Sequence, residues 1–348
     1  METDSVSWVC ANRYVQIHPT RYCNLRCQHC YTLSSPDERE EIDAWILQEA
    51  LSDAAREGFN IANFSGGEPT LYSWLPITLD HAHGCGLSTV IVSNGTVLTR
   101  PRLAMLRDKT DLLAISLDGV PASHNSIRGS ARAFDMMRAR LDDVRSSGIP
   151  FGFIFLLTRE NIHELDWVAQ FALDQGARLL QVHPLEDVGR ASDEMQGRGP
   201  SDRDCEYTQL VLDRIRRLAG NRMIVHLDAA HRAILRLNGA MTMADSDGSA
   251  DVTRPLAELL PTLVIEADGT VTPLVYGLSR RYALGNLKQA PLRDLIAAWR
   301  GEGCLELRDL CRTVFAEVTE SCLVPYVNWW EVLRRRSLQI GNAQLAHQ

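Results

Sequence analysis

Residues 14–31, YVQIHPTRYCNLRCQHCY, contain the features around which the rest of the chain is organised. The first five residues alternate apolar and polar side chains, the pattern of a half-buried β-strand, and lead directly into a loop with three cysteines. Cys23, Cys27 and Cys30 are separated by three and then two residues. A compact loop can bring thiols at this spacing to one metal centre, so we predict that all three are metal ligands.

Strand and helix patterns alternate along roughly the first 220 residues, which is typical of parallel βα units. Further strands are predicted at 61–64, 89–92, 112–117, 151–157 and 179–182, and helices at 43–57, 74–83, 134–146 and 162–175. A doubly wound open sheet would show the same alternation. Polar residues at the end of nearly every strand favour a barrel, whose loops converge there. We therefore predict an α/β fold with a partial (β/α)6 TIM-type barrel over residues 13–220.

The remaining residues are assigned to three segments around this barrel. Residues 1–12 form an N-terminal segment, and 221–252 form a connecting region with a loop at 238–252 that is rich in small and polar residues. Residues 253–348 are predicted to be a small α+β domain. Its clearest signal is a hairpin, in which apolar runs flank the turn residues Asp268 and Gly269.

Composition narrows the possible partners and location. The net charge of -8 argues against nucleic acid or an anionic membrane surface as the main partner. The first twelve residues lack the basic flank and apolar core of a signal peptide, and no apolar run is long enough to span a membrane. We expect a cytoplasmic protein. Nine cysteines, an odd number, then make a disulfide framework unexpected.

The cysteine loop and the next strand end together resemble a known family. Ser65-Gly66-Gly67-Glu68-Pro69 follows the second predicted strand, one βα unit after the cysteines. The two motifs resemble the signatures of the radical S-adenosylmethionine (radical SAM) superfamily. This resemblance implies one 4Fe–4S cluster on the three cysteines, with a fourth iron left open for S-adenosylmethionine. The alternative is a zinc site, which needs a fourth ligand that His29, between two cysteines, is poorly placed to supply.

The resemblance also implies contacts to S-adenosylmethionine. The Gly-Gly-Glu turn would hold the ammonium group, Arg128 would pair with the carboxylate, and apolar strand-end residues would contact the adenine. His29 stands where the family usually has an aromatic residue, with Tyr31 beside it. The full set of expected contacts is His29, Tyr31, Gly66, Gly67, Glu68, Asn94, Asp118, Arg128, Leu157 and Val182. No catalytic acid is identified from the sequence.

The C-terminal region resembles the SPASM or twitch extension of the same superfamily. Residues 263–273, 284–287 and 295–299 carry this resemblance. Leu274 and Val275 stand where that pattern has its first cluster-binding cysteine. Cys304, Cys311 and Cys322 are too widely spaced for a recognised ligand motif. We therefore expect a degenerate extension without an auxiliary cluster.

The resemblance implies a radical mechanism. An electron from a low-potential donor such as flavodoxin or ferredoxin would enter the cluster, and cleavage of S-adenosylmethionine would give a 5′-deoxyadenosyl radical that abstracts a substrate hydrogen. The segment around Arg128 favours modification of a peptide. The loss of auxiliary ligands fits equally well a small-molecule substrate, such as a sugar or nucleoside intermediate of a natural-product pathway. A third interpretation is a noncatalytic metal-binding protein.

Overall fold

The computed structural model describes residues 12–237, 242–243, 254–320 and 325–345. Seven parallel strands form its centre: β1 (Tyr14–Ile17), β2 (Ile61–Phe64), β3 (Ser88–Ser93), β4 (Leu112–Ser116), β5 (Phe151–Leu157), β6 (Leu179–Pro184) and β7 (Ile224–Leu227). Each strand pairs in parallel with the next strand along the chain. The α/β partial barrel predicted from the sequence is confirmed, and β7 adds one strand to the predicted six.

Helices connect these strands: α1 (Ala44–Arg56), α2 (Leu75–Gly84), α3 (Arg100–Leu106), α4 (Pro121–Arg128), α5 (Ala133–Arg138), α6 (Leu141–Ser147), α7 (Leu165–Gln175), α8 (Ala191–Glu194) and α9 (Asp202–Ala219). The first of them shows why the sequence forms helix. The side chain of Asp43 caps α1 by accepting a hydrogen bond from the Trp45 N–H at 2.8 Å. Leu47, Leu51 and Ala54 recur at helical spacing and are fully buried.

Two predicted helices differ from those observed. The helix predicted at 134–146 is divided into α5 and α6, because the N–H of Arg140 bonds the Met137 carbonyl, three residues back, and tightens the chain there. The helix predicted at 162–175 begins with a 3-10 turn at Ile162–Glu164 before α7.

The C-terminal residues contain β8 (Ala230–His231), α10 (Arg232–Leu237), α11 (Leu256–Leu259), β9 (Thr262–Ile265), β10 (Thr270–Pro273), β11 (Gly285–Asn286), α12 (Leu292–Trp299), α13 (Glu302–Glu320), β12 (Tyr326–Val327) and α14 (Trp329–Leu345). The predicted hairpin is confirmed as the antiparallel pair β9 and β10. Strand β9 also pairs in parallel with β1, so the hairpin continues the barrel sheet. β8 and β12 form a separate two-stranded sheet.

One sheet therefore contains strands of both the predicted barrel and the predicted C-terminal domain. Its order is β11-β10-β9-β1-β2-β3-β4-β5-β6-β7. The assigned limits at 12, 220 and 252 stay a prediction. The N-terminal segment up to residue 11 and most of the loop predicted at 238–252 lie outside the described residues.

The strands present alternate residues to the core and to a concave face. Leu180 and Val182 of β6 are fully buried, whereas Gln181 and His183 are partly exposed. Burial and, to a smaller extent, the charge of Asp228 raise the pKa of Tyr14 on β1. Because five strands separate β1 from β7 in the sheet, this charge acts across the concave face. None of the described helices has the length and apolarity needed to cross a membrane.

Candidate functional site

The cysteine loop, residues 18–43, follows β1 and contacts the residues at the ends of several neighbouring strands. It is closed by a β-bridge between Thr20 and Glu41. Inside it, Cys23 and Cys27 are each 7% exposed and pack with Cys30 in a small cluster. The loop thus brings the three predicted ligands together in a nearly dry environment at the carboxyl edge of the sheet.

Each of the three sulfurs has a polar hydrogen-bond donor beside it. Asn94 Nδ2 lies 3.8 Å from the sulfur of Cys23, and Arg128 Nη1 lies 3.9 Å from that of Cys27. The Ser34 N–H donates to the sulfur of Cys30 at 3.3 Å. These donors come from the end of β3, from α4 and from the cysteine loop itself. Donors of this kind stabilise thiolate, the form of cysteine that binds iron.

The protonation of the thiols depends on this environment. Burial, together with the charge of Glu68, raises the pKa of Cys23. Burial also raises the pKa of Cys27 to about 11, although the nearby Arg128 opposes the change. Without a metal, these thiols are held neutral at physiological pH. Metal binding would displace their protons, as is general for thiolate ligands.

The Gly-Gly-Glu turn packs its backbone directly against the cysteine loop. The Gly67 N–H bonds the Thr20 carbonyl and the Glu68 N–H bonds the Tyr22 carbonyl, both at 2.9 Å. A Cβ atom at position 67 would lie 2.2 Å from the Tyr22 oxygen. Gly66 has a φ of +96°, which favours glycine. The glycines are therefore required for the close approach of two backbones.

The Glu68 side chain turns into the protein instead of outward. It is fully buried, and its carboxylate accepts hydrogen bonds from Ser93 Oγ at 2.9 Å, the Asn94 N–H at 2.9 Å and Thr70 Oγ1 at 2.6 Å. Burial raises the pKa of Glu68, and these hydrogen bonds oppose the increase. This carboxylate joins the ends of β2 and β3. The structure gives it no exposed surface with which to meet an ammonium group.

Asp118 and Arg128 form a buried ion pair beside Cys27. Arg128 donates through Nε to Asp118 Oδ2 at 2.6 Å and through Nη2 to Oδ1 at 3.1 Å. Burial opposes ionisation of Asp118, but Arg128 and His124 outweigh it and lower the pKa of Asp118. Asp118 therefore orients the guanidinium, and Nη1 is left facing the cysteine sulfur.

His29 lies close to this ion pair. Burial and the charge of Arg128 lower the pKa of His29 to about 3, so the ring is neutral at physiological pH. Within the described part of the chain, the buried Nδ1 of His29 and Nε2 of His124 have no hydrogen-bond partner. His29 belongs to the cysteine loop and His124 lies beside Asp118, so a cofactor bound at the loop could satisfy these atoms.

The remaining predicted aromatic contact, Tyr31, belongs to a cluster of three rings. Its hydroxyl lies 3.2 Å from His18 Nε2 and 3.0 Å from Ser65 Oγ. The rings of Tyr31 and Tyr276 are 5.0 Å apart at their centroids. Tyr276 follows the residues that replace the expected C-terminal cysteine. This cluster joins the C-terminal segment to the cysteine loop.

Leu157 and Val182, the predicted adenine contacts, do not lie on the accessible side of their strands. Both are fully buried in the main hydrophobic core. Because neighbouring strand residues face opposite sides, Leu156 lies on the other face and packs in a separate apolar cluster with Ile127 and Leu185. The structure thus favours Leu156 over Leu157 as an apolar contact for a ligand at this edge.

A polar group on the concave face centres on Asp228, which was not predicted as a site residue, whereas His183 was expected to be placed to contact substrate. Asp228, just after β7, accepts hydrogen bonds from Gln181 Nε2 at 2.7 Å and lies 2.9 Å from His183 Nδ1 and 3.2 Å from His226 Nε2. Burial alone would lower the pKa of His183, but Asp228, together with Glu186, raises it to about 9. The alternation of polar residues in 181–183 and 226–228 was the available signal.

The C-terminal cysteines are part of the core in the described region. Cys304 and Cys311 lie seven residues apart on α13, and both are fully buried. Cys322 lies outside the described residues. Among those residues, no group of three or more His, Cys, Asp or Glu side chains is arranged to hold a single metal ion. The evidence for a cluster at the cysteine loop therefore comes from its three cysteines and the polar groups around them.

That donor set fits a 4Fe–4S cluster. The three thiols pack together in one loop, with Cys23 and Cys27 buried, and each has a polar donor near its sulfur. The same loop carries His29, whose buried Nδ1 has no partner among the described residues. Fe–S clusters are held by cysteine thiolates and are tuned by hydrogen bonds to sulfur.

A partial parallel barrel with a three-cysteine loop at its carboxyl edge defines the class of this protein. A family model described as the Radical SAM superfamily matches residues 17–172. Residues 17–172 are therefore similar to the radical SAM superfamily, the family that the cysteine loop and the Gly-Gly-Glu turn predicted.

Several curated proteins are similar in sequence. An Fe-coproporphyrin III synthase from Methanosarcina barkeri is 28% identical over 57% of this chain and 50% of that protein. A pre-heme d1 synthase from Dinoroseobacter shibae is 26% identical over 81% of this chain and 72% of that protein. A PqqA peptide cyclase from Xanthomonas campestris is 27% identical over 61% and 57%. The chain thus spans only about half the length of the first of these relatives.

Solved structures share the fold. Streptococcus suis SuiB bound to precursor peptide SuiA has a TM-score of 0.65 at 14% identity, covering 87% of this chain and 67% of that one. The anSMEcpe protein with bound AdoMet has a TM-score of 0.63 at 16% identity, covering 97% and 94%. At these identities the likeness shows the fold alone, and it agrees with the partial barrel.

Proposed function

We propose that this protein cleaves S-adenosylmethionine reductively at a 4Fe–4S cluster bound by Cys23, Cys27 and Cys30, and abstracts a hydrogen atom from a peptide. The observation that carries the proposal is the convergence of three thiols, two buried and one partly exposed, each with a polar donor, at the carboxyl edge of the parallel strands. When bound, the cluster and S-adenosylmethionine supply an electron and a 5′-deoxyadenosyl radical. A low-potential donor such as flavodoxin or ferredoxin would deliver the electron.

The surrounding residues would bind and orient the cofactor. Arg128, held by Asp118, places a fixed positive charge beside Cys27, where it would attract the carboxylate of S-adenosylmethionine. His29 and Tyr31 lie on either side of Cys30 in the loop as a neutral imidazole and a phenol, and Asn94 lies next to Cys23. Glu68 keeps the ends of β2 and β3 together and acts on the cofactor only through the backbone that it positions.

The residues around the thiols would also exclude water from the site. The low exposure of Cys23 and Cys27 and the apolar cluster of Ile127, Leu156 and Leu185 limit the access of water to the thiols. A dry site protects a reactive radical from side reactions. The described C-terminal cysteines, buried on α13, fit a protein with one cluster and no auxiliary cluster.

A peptide substrate is supported by named relatives and neighbours. The PqqA peptide cyclase and SuiB bound to its precursor peptide are both similar to this chain. A small-molecule substrate is the second candidate. It is supported by the pre-heme d1 synthase, whose similarity extends over 81% of the chain.

Transfer of deuterium distinguishes the two candidates. The reconstituted protein would be incubated with S-adenosylmethionine, dithionite and a deuterated synthetic copy of any short peptide encoded beside its gene. Deuterium in 5′-deoxyadenosine would support the peptide proposal. Deuterium transfer from a tetrapyrrole or a sugar intermediate, with none from the peptide, would contradict it. Zinc in place of iron in the purified protein would favour the noncatalytic interpretation.

A further inference from the structure

The segment that follows β6 contacts the cysteine loop through hydrogen bonds of Arg190. Arg190 Nη1 donates to the carbonyl oxygen of Cys27 at 2.6 Å, and Nη2 donates to that of Ser34 at 3.0 Å. The main-chain N–H of Arg190 donates to the carbonyl oxygen of Cys30 at 2.9 Å. A single residue thus holds three carbonyls of the loop, and two of them belong to predicted cluster ligands.

The preceding glycine provides independent support for this contact. Gly189 has a φ of +61°, and a Cβ atom there would lie 2.3 Å from the Tyr31 oxygen and 2.6 Å from the Cys30 oxygen. Any larger residue would force the two backbones apart. Gly189 therefore allows the two backbones to approach closely, and the planar guanidinium of Arg190 donates two hydrogen bonds across the contact.

The charge of Arg190 is balanced locally. Glu194 Oε1 lies 4.0 Å from Arg190 Nε and 2.9 Å from Nη1 of Arg26, which belongs to the cysteine loop. The Arg190 side chain is only 8% exposed. Its hydrogen bonds go to main-chain oxygens and not to sulfur. Its effect on the site therefore comes from geometry more than from net charge.

We propose that Arg190 is a positioning residue that fixes the spacing of the three thiols by clamping the backbone of the cysteine loop. The inference rests on the proposed function in that the thiols hold the cluster, but the contacts of the clamp are made by protein atoms alone. Removing the guanidinium would take away the donor to the Ser34 carbonyl and one of two donors to the Cys27 carbonyl, which also accepts from the Cys30 N–H at 3.3 Å. The loop would then open to replace the lost hydrogen bonds with water. Strand β6 also carries His183, so the clamp joins the concave face to the cysteine loop.

Amide hydrogen exchange of the metal-free protein tests the clamp directly. We expect amides in residues 22–35 to exchange about tenfold faster in Arg190→Ala and in Gly189→Ala than in the wild type, because local opening becomes easier. Arg198→Ala is the matched control. Arg198 lies in the same segment but pairs at the surface with Glu160, at 2.9 Å, so we expect wild-type exchange.

The reconstituted protein tests the consequence for iron. We expect chelators to remove iron about tenfold faster from Arg190→Ala, equal to about 1.4 kcal/mol, and to shift the electron paramagnetic resonance signal of the reduced cluster. Arg190→Lys should behave like Arg190→Ala, because an ammonium cannot reproduce the planar fork that holds two carbonyls. Arg198→Ala should match the wild type.

The outcomes separate the two proposals. Wild-type exchange and wild-type iron release in both Arg190 variants would overturn the clamp, as would full rescue by Arg190→Lys, which would show that charge alone matters. A wild-type protein that binds no iron would instead contradict the proposed function. In that case faster exchange in Arg190→Ala and Gly189→Ala would still support the clamp.

Discussion

Asp228 is a partly buried charge on the concave face that acts on residues of several strands. It contacts Gln181, His183 and His226 and influences Tyr14 on the far side of the sheet. Because the folded-state pKa of His183 is raised, the ion pair stabilises the fold fully below the ordinary histidine pKa of 6.5. That stabilisation is lost as the pH rises through about 9.

Replacing Asp228 by Asn should therefore have a pH-dependent effect. We expect Asp228→Asn to return the His183 pKa toward 6.5, which an NMR titration of the imidazole would measure. The variant should also melt below the wild type near pH 6, and the difference should shrink as the pH passes 9. Asp166→Asn, at an exposed pair with Arg214, serves as the control. An unchanged His183 titration would refute the assigned ion pair.

For individual residues, the sequence predicts which residue types belong to the site better than it predicts which side chains pair with one another. The spacing of the cysteines sufficed to predict that Cys23, Cys27 and Cys30 share one loop. It could not show that Arg128 is paired with Asp118, because both residues follow the same strand and each alone could face a cofactor. Leu157 is predicted as an adenine contact because it lies at a strand end, but a uniformly apolar strand does not reveal which face is accessible.

The Gly-Gly-Glu turn at the end of β2 packs against the cysteine loop and so fixes the loop to the neighbouring strand of the barrel. Its order within the βα units made it predictable. In this chain the turn brings its backbone into contact with that of the cysteine loop. The motif in the sequence does not indicate this role. The same holds for the segment after β6, where Arg190 begins a polar, Gly-rich stretch, residues 190–201, whose sequence does not indicate this contact.

Gly67→Ala tests this contact between elements. The added Cβ would lie 2.2 Å from the Tyr22 oxygen, so the turn must move away from the loop. We expect the free energy of unfolding in denaturant to fall by about 3 kcal/mol, as for other overpacked sites.

Gly84→Ala is the matched control for that measurement. Gly84 ends α2, and a Cβ atom there would meet nothing within 4 Å. Alanine is the better helix former, so stability should be unchanged or rise by about 0.5 kcal/mol. Equal stability of the Gly67 and Gly84 variants would mean that the turn is not pressed against the loop.

For the molecule as a whole, the βα alternation was sufficient to predict a partial barrel, because each strand is short, apolar and followed by a turn. The pairing of β9 with β1 was not predictable. A parallel partner about 250 residues away leaves no periodic signal, and loop-closure entropy depends only weakly on such distances.

The whole molecule also determines how many clusters it can bind. With Cys304 and Cys311 buried in the core of α13, we expect about four irons per chain after anaerobic reconstitution. Cys304→Ala and Cys311→Ala should retain that iron content, with at most a loss of stability. An iron count near eight, or iron loss in either variant, would show an auxiliary cluster.

The most direct test measures 5′-deoxyadenosine formed from S-adenosylmethionine by the reconstituted protein with dithionite. We predict formation by the wild type and by Cys85→Ala, whose thiol lies outside the cysteine loop, and at least a hundredfold loss in Cys27→Ala. Formation at the wild-type rate in Cys27→Ala, or none from a wild-type protein with an intact cluster, would contradict radical chemistry at the three-cysteine loop.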